Sequence, residues 1–339
     1  MSSGGDAAVQ ARFVNGSRQP PYFSVVLPTF NRARFLPTAI TSVLNQRFAD
    51  LELIIVDDAS SDDTSAVLAV YASNPRVTVF RNTVNRHKGE TRNRAIAAAR
   101  GGYICFLDDD DYYYPTHLST FYEELEARGR PTAMLFSLAA SRDSECSEAK
   151  VRVLPPLGSI HPVAYLFDPE HPVCTPQACI AAAILRDLRF HEEIRIGQDT
   201  ELFMRIAARY PIIKIDVPTM VSVRHSGCSG DPSRNPGLER LRGLRFVFAN
   251  PELRRHIGWP ARLEAYAGCL DRMAHYYLLQ KRQFRACGAL ALSAACAPWD
   301  GHLLRKGRML LRQLPGGSLL SSMARSLRPG TRPASHRGC

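Results

Sequence analysis

Four consecutive carboxylates are the residues of this 339-residue chain that point most directly to chemistry. Asp108 to Asp111 follow the apolar run 102–107 in the segment FLDDDDYYYP. If strand geometry persists, Asp108 and Asp110 point to one side and Asp109 to the other. Adjacent acids repel one another without a counter-ion, and hard divalent cations prefer oxygen ligands. The spacing therefore predicts a site for a cation or a ribose hydroxyl, rather than a solvated turn or a helix cap.

The residues before this cluster predict an α/β fold that holds it at the edge of a sheet. Apolar runs typical of strands buried on both faces occur at 23–28, 51–56, 76–80 and 102–107. Stretches with helical spacing lie between them at 34–46, 62–72 and 89–99. This alternation predicts a mainly parallel central sheet covered on both sides. Ligands of such sheets bind beyond the carboxyl ends of the strands, which is where the acids lie.

The remaining chain is less regular. Further elements are predicted as a helix over 115–128, a strand over 132–139, a helix over 198–208 and strands over 212–216 and 219–225. Residues 177–184 fit either a strand or a short helix. The predicted organisation is a disordered arm over 1–21, a catalytic domain over 22–230, a basic helical extension over 231–314 and a disordered tail over 315–339.

Charge is spread unevenly along the chain. Residues 231–339 contain 19 Lys and Arg against 6 Asp and Glu, a net charge of +13, whereas residues 1–230 contain 24 against 26, a net charge of −2. The basic part suggests an anionic partner, such as a membrane surface or a phosphate-bearing acceptor. Helices that mix apolar residues with arginine, as predicted over 238–259, 275–292 and 300–314, suit an anionic membrane surface and equally a helical cap with a solvated basic face.

Composition also bears on the compartment. The nine cysteines are scattered and form no C-x-x-C pair, which favours buried reduced thiols over a zinc site or disulfides. Neither a long apolar stretch nor a signal-peptide pattern is found. These features predict a cytoplasmic protein, with peripheral binding at the inner face of the plasma membrane as a further hypothesis.

Five motifs in order resemble glycosyltransferase family 2, whose members have the GT-A fold and invert the anomeric centre. The motifs are SVVLPTFNR (24–32), LNQRFADLELIIVDDASSDDT (44–64), RNRAIAAARGGYICFLDDDD (92–111), IGQDTELFMR (196–205) and VRH (223–225). The resemblance covers about residues 22–230 and includes a D-x-D pattern in the acid cluster. It implies a Rossmann-like nucleotide-diphospho-sugar transferase domain, followed by a helical C-terminal extension that lies outside the resemblance.

The resemblance also implies roles for individual residues. The nucleotide-sugar is expected to contact Pro28, Thr29, Asn31, Asp58, Arg92, Asp108 and Asp109. Among these, Asp58 is expected to accept the base N–H, and Asp57 to support its loop. A Mn²⁺ or Mg²⁺ ion is expected at Asp110 and Asp108, with His225 as a late metal or phosphate ligand unless it is structural.

The catalytic base implied by the resemblance is Asp199, at the start of a predicted helix. A carboxylate there can take the proton of an acceptor hydroxyl as it attacks the anomeric carbon, and one displacement inverts that centre. The family commonly has Glu-Asp at this place, whereas this chain has Gln198-Asp199. Stabilisation of the helix dipole is the alternative role for Asp199.

The expected function is therefore that of a hexosyltransferase-like enzyme in the synthesis of cell-surface polysaccharide or glycan. A UDP-sugar is favoured as donor by the resemblance, and the acceptor is a saccharide or a lipid-linked saccharide. Two alternatives are a non-catalytic sugar-nucleotide-binding scaffold and a nucleotidyltransferase, although the latter typically has a glycine-rich loop where PTFNRARF has none. A nucleic-acid partner is not expected, because no recognised nucleic-acid-binding motif occurs.

Overall fold

The computed structural model describes residues 19–143, 148–224 and 235–297. The strands are β1 (Phe23–Thr29), β2 (Leu51–Asp57), β3 (Val77–Arg81), β4 (Tyr103–Phe106), β5 (Tyr112–Tyr113), β6 (Met134–Asp143), β7 (Lys150–Val151), β8 (Ala178–Ala181) and β9 (Ile212–Arg224). The helices are α1 (Leu36–Leu44), α2 (Thr64–Tyr71), α3 (His87–Ala98), α4 (His117–Ala127), α5 (Pro162–Phe167), α6 (Ala182–Asp187), α7 (Gln198–Ala207), α8 (Pro236–Ala249), α9 (Pro251–Arg254), α10 (Trp259–Leu279) and α11 (Gln283–Cys296).

The described strands form one sheet in the order β3-β2-β1-β4-β8-β6-β9-β5, with β7 beside β6. The four strands at the β3 end are parallel, and Val25 on β1 pairs with Leu53 on one side and Cys105 on the other. Every residue of β1 and β2 is buried, as the continuous apolar runs predict. The carboxyl ends of these strands share one edge of the sheet, so the loops that follow them meet there.

The second half of the sheet is mixed rather than parallel. Strand β8 runs antiparallel between β4 and β6, whereas β9 runs parallel to β6 and antiparallel to β5. The prediction of a mainly parallel sheet therefore holds for β3, β2, β1 and β4 and for the β6–β9 pair, whereas β5, β7 and β8 pair antiparallel with their neighbours. Strands β5 and β7 contain two residues each, and β8 contains four, so they are too short for a periodic apolar pattern to reveal them.

The structure shows which elements residues 177–184 and 212–224 form. Residues 177–184 contain both predicted alternatives, because strand β8 passes directly into helix α6 at Ala182. The two strands predicted over 212–225 are a single strand, β9, with an irregularity where its register with β6 shifts beside Leu138. Pro218 pairs with Leu138 at this point, and a proline in a strand lacks the N–H of a regular ladder.

The chain divides into two compact units. The first comprises Met1–Pro232 and Arg242–Ile257, and the second comprises Ser233–Leu241 and Gly258–Cys339. Residues 242–257, assigned to the extension by sequence, thus group with the first unit. In the second unit α10 and α11 pack together around Ala274, Ala289 and Leu290. No helix within the described ranges combines the length and apolarity needed to cross a bilayer.

Some of the sequence predictions fall on residues that the structure does not describe. They concern His225, most of the N-terminal arm, the basic helix over 300–314 and the tail over 315–339. The division into arm, catalytic domain, extension and tail therefore remains a prediction.

A buried polar chain connects β5, α4, β9 and β6. The fully buried His117 places Nδ1 2.7 Å from Oγ1 of Thr219, which in turn lies 2.6 Å from Oγ of Ser137. The imidazole ring stacks on Tyr113 with 3.5 Å between the ring centroids. Burial lowers the pKa of His117 to about 3, because the charged imidazolium would lose its hydration. The native state therefore holds this histidine neutral.

We expect His117 to make the protein acid-sensitive. Below the ordinary pKa of 6.5 the unfolded chain binds a proton that the native state does not bind until about pH 3. Stability should therefore fall as the pH drops through this window. Between about pH 7.5 and about pH 5.5, the free energy of unfolding measured by denaturant titration should fall by about 1 kcal/mol less in His117→Asn than in the wild type. The same loss in both proteins would show that His117 does not carry the effect.

Candidate active site

The four acids form the turn that follows β4. Carboxylate oxygens of Asp108, Asp110 and Asp111 lie within 4.8 Å of one another. Asp109 is not part of this group, and its Oδ2 accepts the backbone N–H of Phe30 at 3.4 Å. Oδ1 of Asp111 accepts the backbone N–H of Val223 at 2.9 Å, which attaches the turn to the end of β9. Strict strand alternation would place Asp111 with Asp109, but residues 109–110 form a turn, and Asp111 lies with Asp108 and Asp110 instead.

Positive side chains balance this cluster. Asp108 lies 2.6 Å from Nη2 of Arg92 and 3.4 Å from Nζ of Lys88, both on α3. Arg32, in the loop after β1, lies 3.9 Å from Asp110. Desolvation works to raise the pKa of Asp108, but the charges of Lys88 and Arg92 outweigh it and lower the pKa to about 2. Asp108 is consequently ionised at any physiological pH.

The carboxyl groups of Asp109 and Asp111 are buried, and their pKa values are raised. Burial raises the pKa of Asp109 to about 6, and the charge of Asp110 adds to this rise. Burial, followed by the charges of Asp108 and Asp110, raises the pKa of Asp111 well above its ordinary value. A divalent cation would favour the ionised carboxylates. Three converging carboxylates with only oxygen donors suit such a hard cation, so the residues fit a Mg²⁺ or Mn²⁺ ion.

The loops after β1 and β2 are joined by hydrogen bonds. Pro28 and Thr29 are buried at the end of β1, and Asn31 follows with a left-handed φ of 53°. Its backbone N–H donates to Oγ of Ser60 at 2.9 Å, and its Oδ1 accepts the N–H of Ser61 at 2.7 Å. Hydrogen bonds to the loop after β2 thus hold in place the loop that contains Asn31, one of the predicted nucleotide-binding residues.

The adjacent pair, Asp57 and Asp58, stabilises the same edge of the sheet. Oδ1 of Asp57 accepts the N–H of Ser60 at 2.9 Å, as expected of a residue that supports the loop. Asp58 is 4% exposed and accepts Nδ2 of Asn82 at 2.7 Å. It also accepts the backbone N–H groups of Arg86 at 2.7 Å and His87 at 2.8 Å.

Asp58 therefore caps α3, whose own N-cap residue forms no side-chain cap. A carboxylate has about four acceptor positions, and the three donors leave room for one more at Oδ2. A bond from Asp58 to a nucleotide base is compatible with this geometry and stays a prediction.

The predicted base, Asp199, is the second residue of α7, and the start of that helix packs on α3. Gln198 is 6% exposed, and its Oε1 lies only 2.7 Å from the position that a Cβ atom on Gly89 would occupy. A side chain at position 89 would therefore require the Gln198 side chain to shift. Asn93 exchanges hydrogen bonds of 2.9 and 3.0 Å with the backbone of Phe190, so residues leading into α7 are also attached to α3.

The thiol of Cys174 lies within range of the charges of both Asp199 and the acid turn. Desolvation raises the pKa of Cys174 well above its ordinary value, and the negative charges of Asp111, Asp199 and Asp108 add to the rise. These three carboxylates therefore lie in one electrostatic neighbourhood. Asp199 itself is half-buried, and its Oδ1 accepts the N–H of Thr200 at 2.9 Å.

Other candidates are placed differently or were not predicted. Tyr113, which follows the acid turn, is buried in the core and donates its hydroxyl to the carbonyl of Phe106. Lys88 faces Asp108 and keeps about half of its side chain exposed to solvent. Its spacing of four residues from Arg92 is the signal that both share a helix face. The contact of Arg32 and the place of Cys174 arise from tertiary structure and have no local sequence signal.

Comparisons with known proteins identify the family. Glycosyl transferase family 2 matches residues 24–143. The chain is 30% identical over 194 residues to the putative colanic acid biosynthesis glycosyl transferase WcaA of Escherichia coli, covering 56% of this chain and 67% of that protein. It is 34% identical over 187 residues to the succinoglycan biosynthesis protein ExoO of Rhizobium meliloti, covering 53% of each. The alignments thus span between half and two thirds of these relatives.

Solved structures show the fold. The TarS 1–349 fragment of S. aureus in complex with UDP-GlcNAc has a TM-score of 0.52 and 16% identity, with 88% of this chain and 83% of that chain covered. The mannosyltransferase PcManGT of Pyrobaculum calidifontis, in complex with GDP-Man and Mn²⁺, has a TM-score of 0.54 and 20% identity, with coverage of 90% and 84%. Both are GT-A proteins, so the predicted GT-A fold is confirmed.

These findings also bear on the predicted activity. The prediction of an inverting glycosyltransferase is confirmed, which sets the nucleotidyltransferase alternative aside. On the family match, the relatives and the fold together, the chain belongs to glycosyltransferase family 2.

Proposed function

We propose that this enzyme transfers a sugar from a nucleotide-diphosphate donor, with a UDP-sugar favoured, to a hydroxyl group of a saccharide or lipid-linked acceptor. The product would belong to a cell-surface polysaccharide. The observation that carries the proposal is the convergence of Asp108, Asp110 and Asp111 beside the cations of α3, with Asp199 in the same electrostatic neighbourhood. Relatives named for colanic acid and succinoglycan biosynthesis support the polysaccharide assignment.

The two positive side chains of α3, Lys88 and Arg92, have different roles in the proposed binding of the donor. The side chain of Arg92 is 3% exposed and stays with Asp108, whereas that of Lys88 is 51% exposed. A half-exposed lysine can turn toward an arriving diphosphate at little cost, but a buried arginine cannot leave its carboxylate uncompensated. In the proposed complex Lys88 therefore contacts phosphate oxygens, and Arg92 holds Asp108 in place.

The acid turn suits a divalent cation. Asp110 and Asp108 would hold a Mn²⁺ or Mg²⁺ ion, while Asp111 keeps its bond to the N–H of Val223 and steadies the turn. Such an ion would act as a Lewis acid and neutralise charge on the departing nucleotide diphosphate. The Mn²⁺ bound in the PcManGT complex is consistent with this assignment.

Asp199 is the proposed base. As the acceptor oxygen forms its bond to the anomeric carbon, the bond from that carbon to the diphosphate breaks, and Asp199 takes the hydroxyl proton. The attack comes from the face opposite the leaving group, so the anomeric centre inverts. The N–H of Thr200 holds one carboxylate oxygen of Asp199. The neighbouring Gln198 has a neutral amide side chain, so Asp199 is the residue of these two that can accept the proton.

Replacement of the base should separate chemistry from binding. Asp199→Asn should lower kcat by about 10²–10⁴-fold, because the amide cannot accept the acceptor proton. Donor affinity, measured by calorimetry, should stay close to that of the wild type. Asp187→Asn, an exposed acid at the end of α6, is the matched control and should retain full turnover. Normal turnover by Asp199→Asn would rule out this residue as the base.

Removal of the cation should stop transfer reversibly. Treatment with EDTA should reduce turnover by about 10²-fold or more, and added Mn²⁺ or Mg²⁺ should restore it. Asp110→Asn should weaken Mn²⁺ binding measured by electron paramagnetic resonance in the presence of nucleotide, whereas Asp63→Asn, in the exposed part of the loop after β2, should not. Full activity in EDTA, with no Mn²⁺ signal change in either variant, would contradict the metal assignment.

We propose that Asp58 both caps α3 and accepts a base N–H. Asp58→Asn should reduce the free energy of unfolding by about 1–3 kcal/mol, because one acceptor oxygen becomes an NH₂ group facing N–H donors. It should also weaken nucleotide binding at a temperature where the variant is folded. Asp63→Asn should change stability by less than about 0.5 kcal/mol. A variant as stable as the wild type would argue against the capping role.

A further inference from the structure

Helix α11 has an apolar surface on two sides. Its inner face buries Ala286, Ala289, Leu290 and Ser293. Its outward positions, at helical spacing, are all exposed and contain no polar side chain, namely Phe284, Gly288, Ala291, Leu292 and Ala295. A helix that is apolar on both sides normally has both sides covered. The outward face therefore has the composition of a contact surface.

Two large apolar side chains with the highest exposed fractions on α10 and α11 lie at one end of this helical hairpin, here called the hairpin tip (residues 279–285). Leu279, the last residue of α10, is 69% exposed, and Phe284, near the start of α11, is 95% exposed. The turn between them contains Lys281 in a left-handed conformation with φ of 57°. An almost fully exposed phenylalanine next to an exposed leucine favours burial against an apolar partner.

The charges around the hairpin tip indicate what kind of partner this surface binds. Lys281, Arg282 and Arg285 are all exposed. Residues 272–299 contain four Lys and Arg and no Asp or Glu. A second copy of this surface would meet like charge, whereas an anionic surface with an apolar interior would satisfy both components. The ring of Tyr277, with the Arg285 guanidinium 6.0 Å from its centroid, adds the aromatic and basic pairing typical of bilayer interfaces.

We propose that the hairpin tip binds the surface of an anionic lipid bilayer. Leu279 and Phe284 insert among the lipid chains, while Lys281, Arg282 and Arg285 contact headgroup phosphates. Attachment is peripheral. The sequence suggests membrane contact for basic helices over 238–259, 275–292 and 300–314, and this inference narrows the contact to the hairpin tip in the second unit. It is independent of the catalytic proposal.

The test is vesicle flotation of the full chain. Vesicles that mix phosphatidylglycerol with phosphatidylcholine should bind it at low salt and release it at high salt, and phosphatidylcholine alone should bind it weakly. Combining Leu279→Ser with Phe284→Ser should lower the partition coefficient by about tenfold or more. Combining Arg282→Glu with Arg285→Glu should lower it at least as far.

The matched control is Trp259→Ser. This residue is 68% exposed and lies at the opposite end of α10, about 30 Å along the helix, so binding should not change. Sugar-nucleotide turnover in solution should be the same in all variants. Wild-type binding by the Leu279→Ser and Phe284→Ser combination, or equal loss with Trp259→Ser, would overturn the proposal. A wild-type dimer that this combination disrupts would also overturn it, since a second copy would then cover the tip.

Discussion

The pairing of Asp108 with Lys88 and Arg92 is the interaction on which the site depends. A carboxylate at the end of a buried strand is costly unless opposite charge lies beside it, and α3 supplies two positive groups. The same helix is capped by Asp58 at its first turn and contacts the start of α7 at Gly89. Helix α3 therefore positions the acid turn, the nucleotide loops and the base relative to one another.

Much of the first half of the fold follows from local sequence. Strands β1 and β2 are buried on both faces, so each is a nearly continuous apolar run with one polar residue inside it, Ser24 or Glu52, and the acids that follow such runs mark the edge where ligands bind. The mixed half could not be predicted in the same way. Strands β5 and β8 owe their form to neighbours from distant parts of the chain rather than to their own two and four residues, and the two-residue β7 forms only by pairing with the end of β6.

The site was predictable to the extent that its residues follow strands or begin helices, as Asp108, Asp110 and Asp199 do. The contacts that the site residues make with other parts of the chain could not be predicted. The donors to Asp58 come from positions 24 to 29 residues further along the chain, and Arg32 meets Asp110 across 78 positions. No local pattern encodes such contacts, since they exist only once the strand order brings the loops together. Lys88 is the exception, because its helical spacing from Arg92 could be recognised.

The position of Asp58 at the head of α3 has a thermodynamic consequence. One helix is bonded to the loop proposed to bind the nucleotide and to the carboxylate proposed to bind the cation. If binding at one end changes affinity at the other, linkage requires the effect to be mutual. The factor by which nucleotide tightens the hold on the ion must equal the factor by which the ion tightens the hold on nucleotide. Cooperative loading of the two ligands is then a property of the helix as well as of their direct contact.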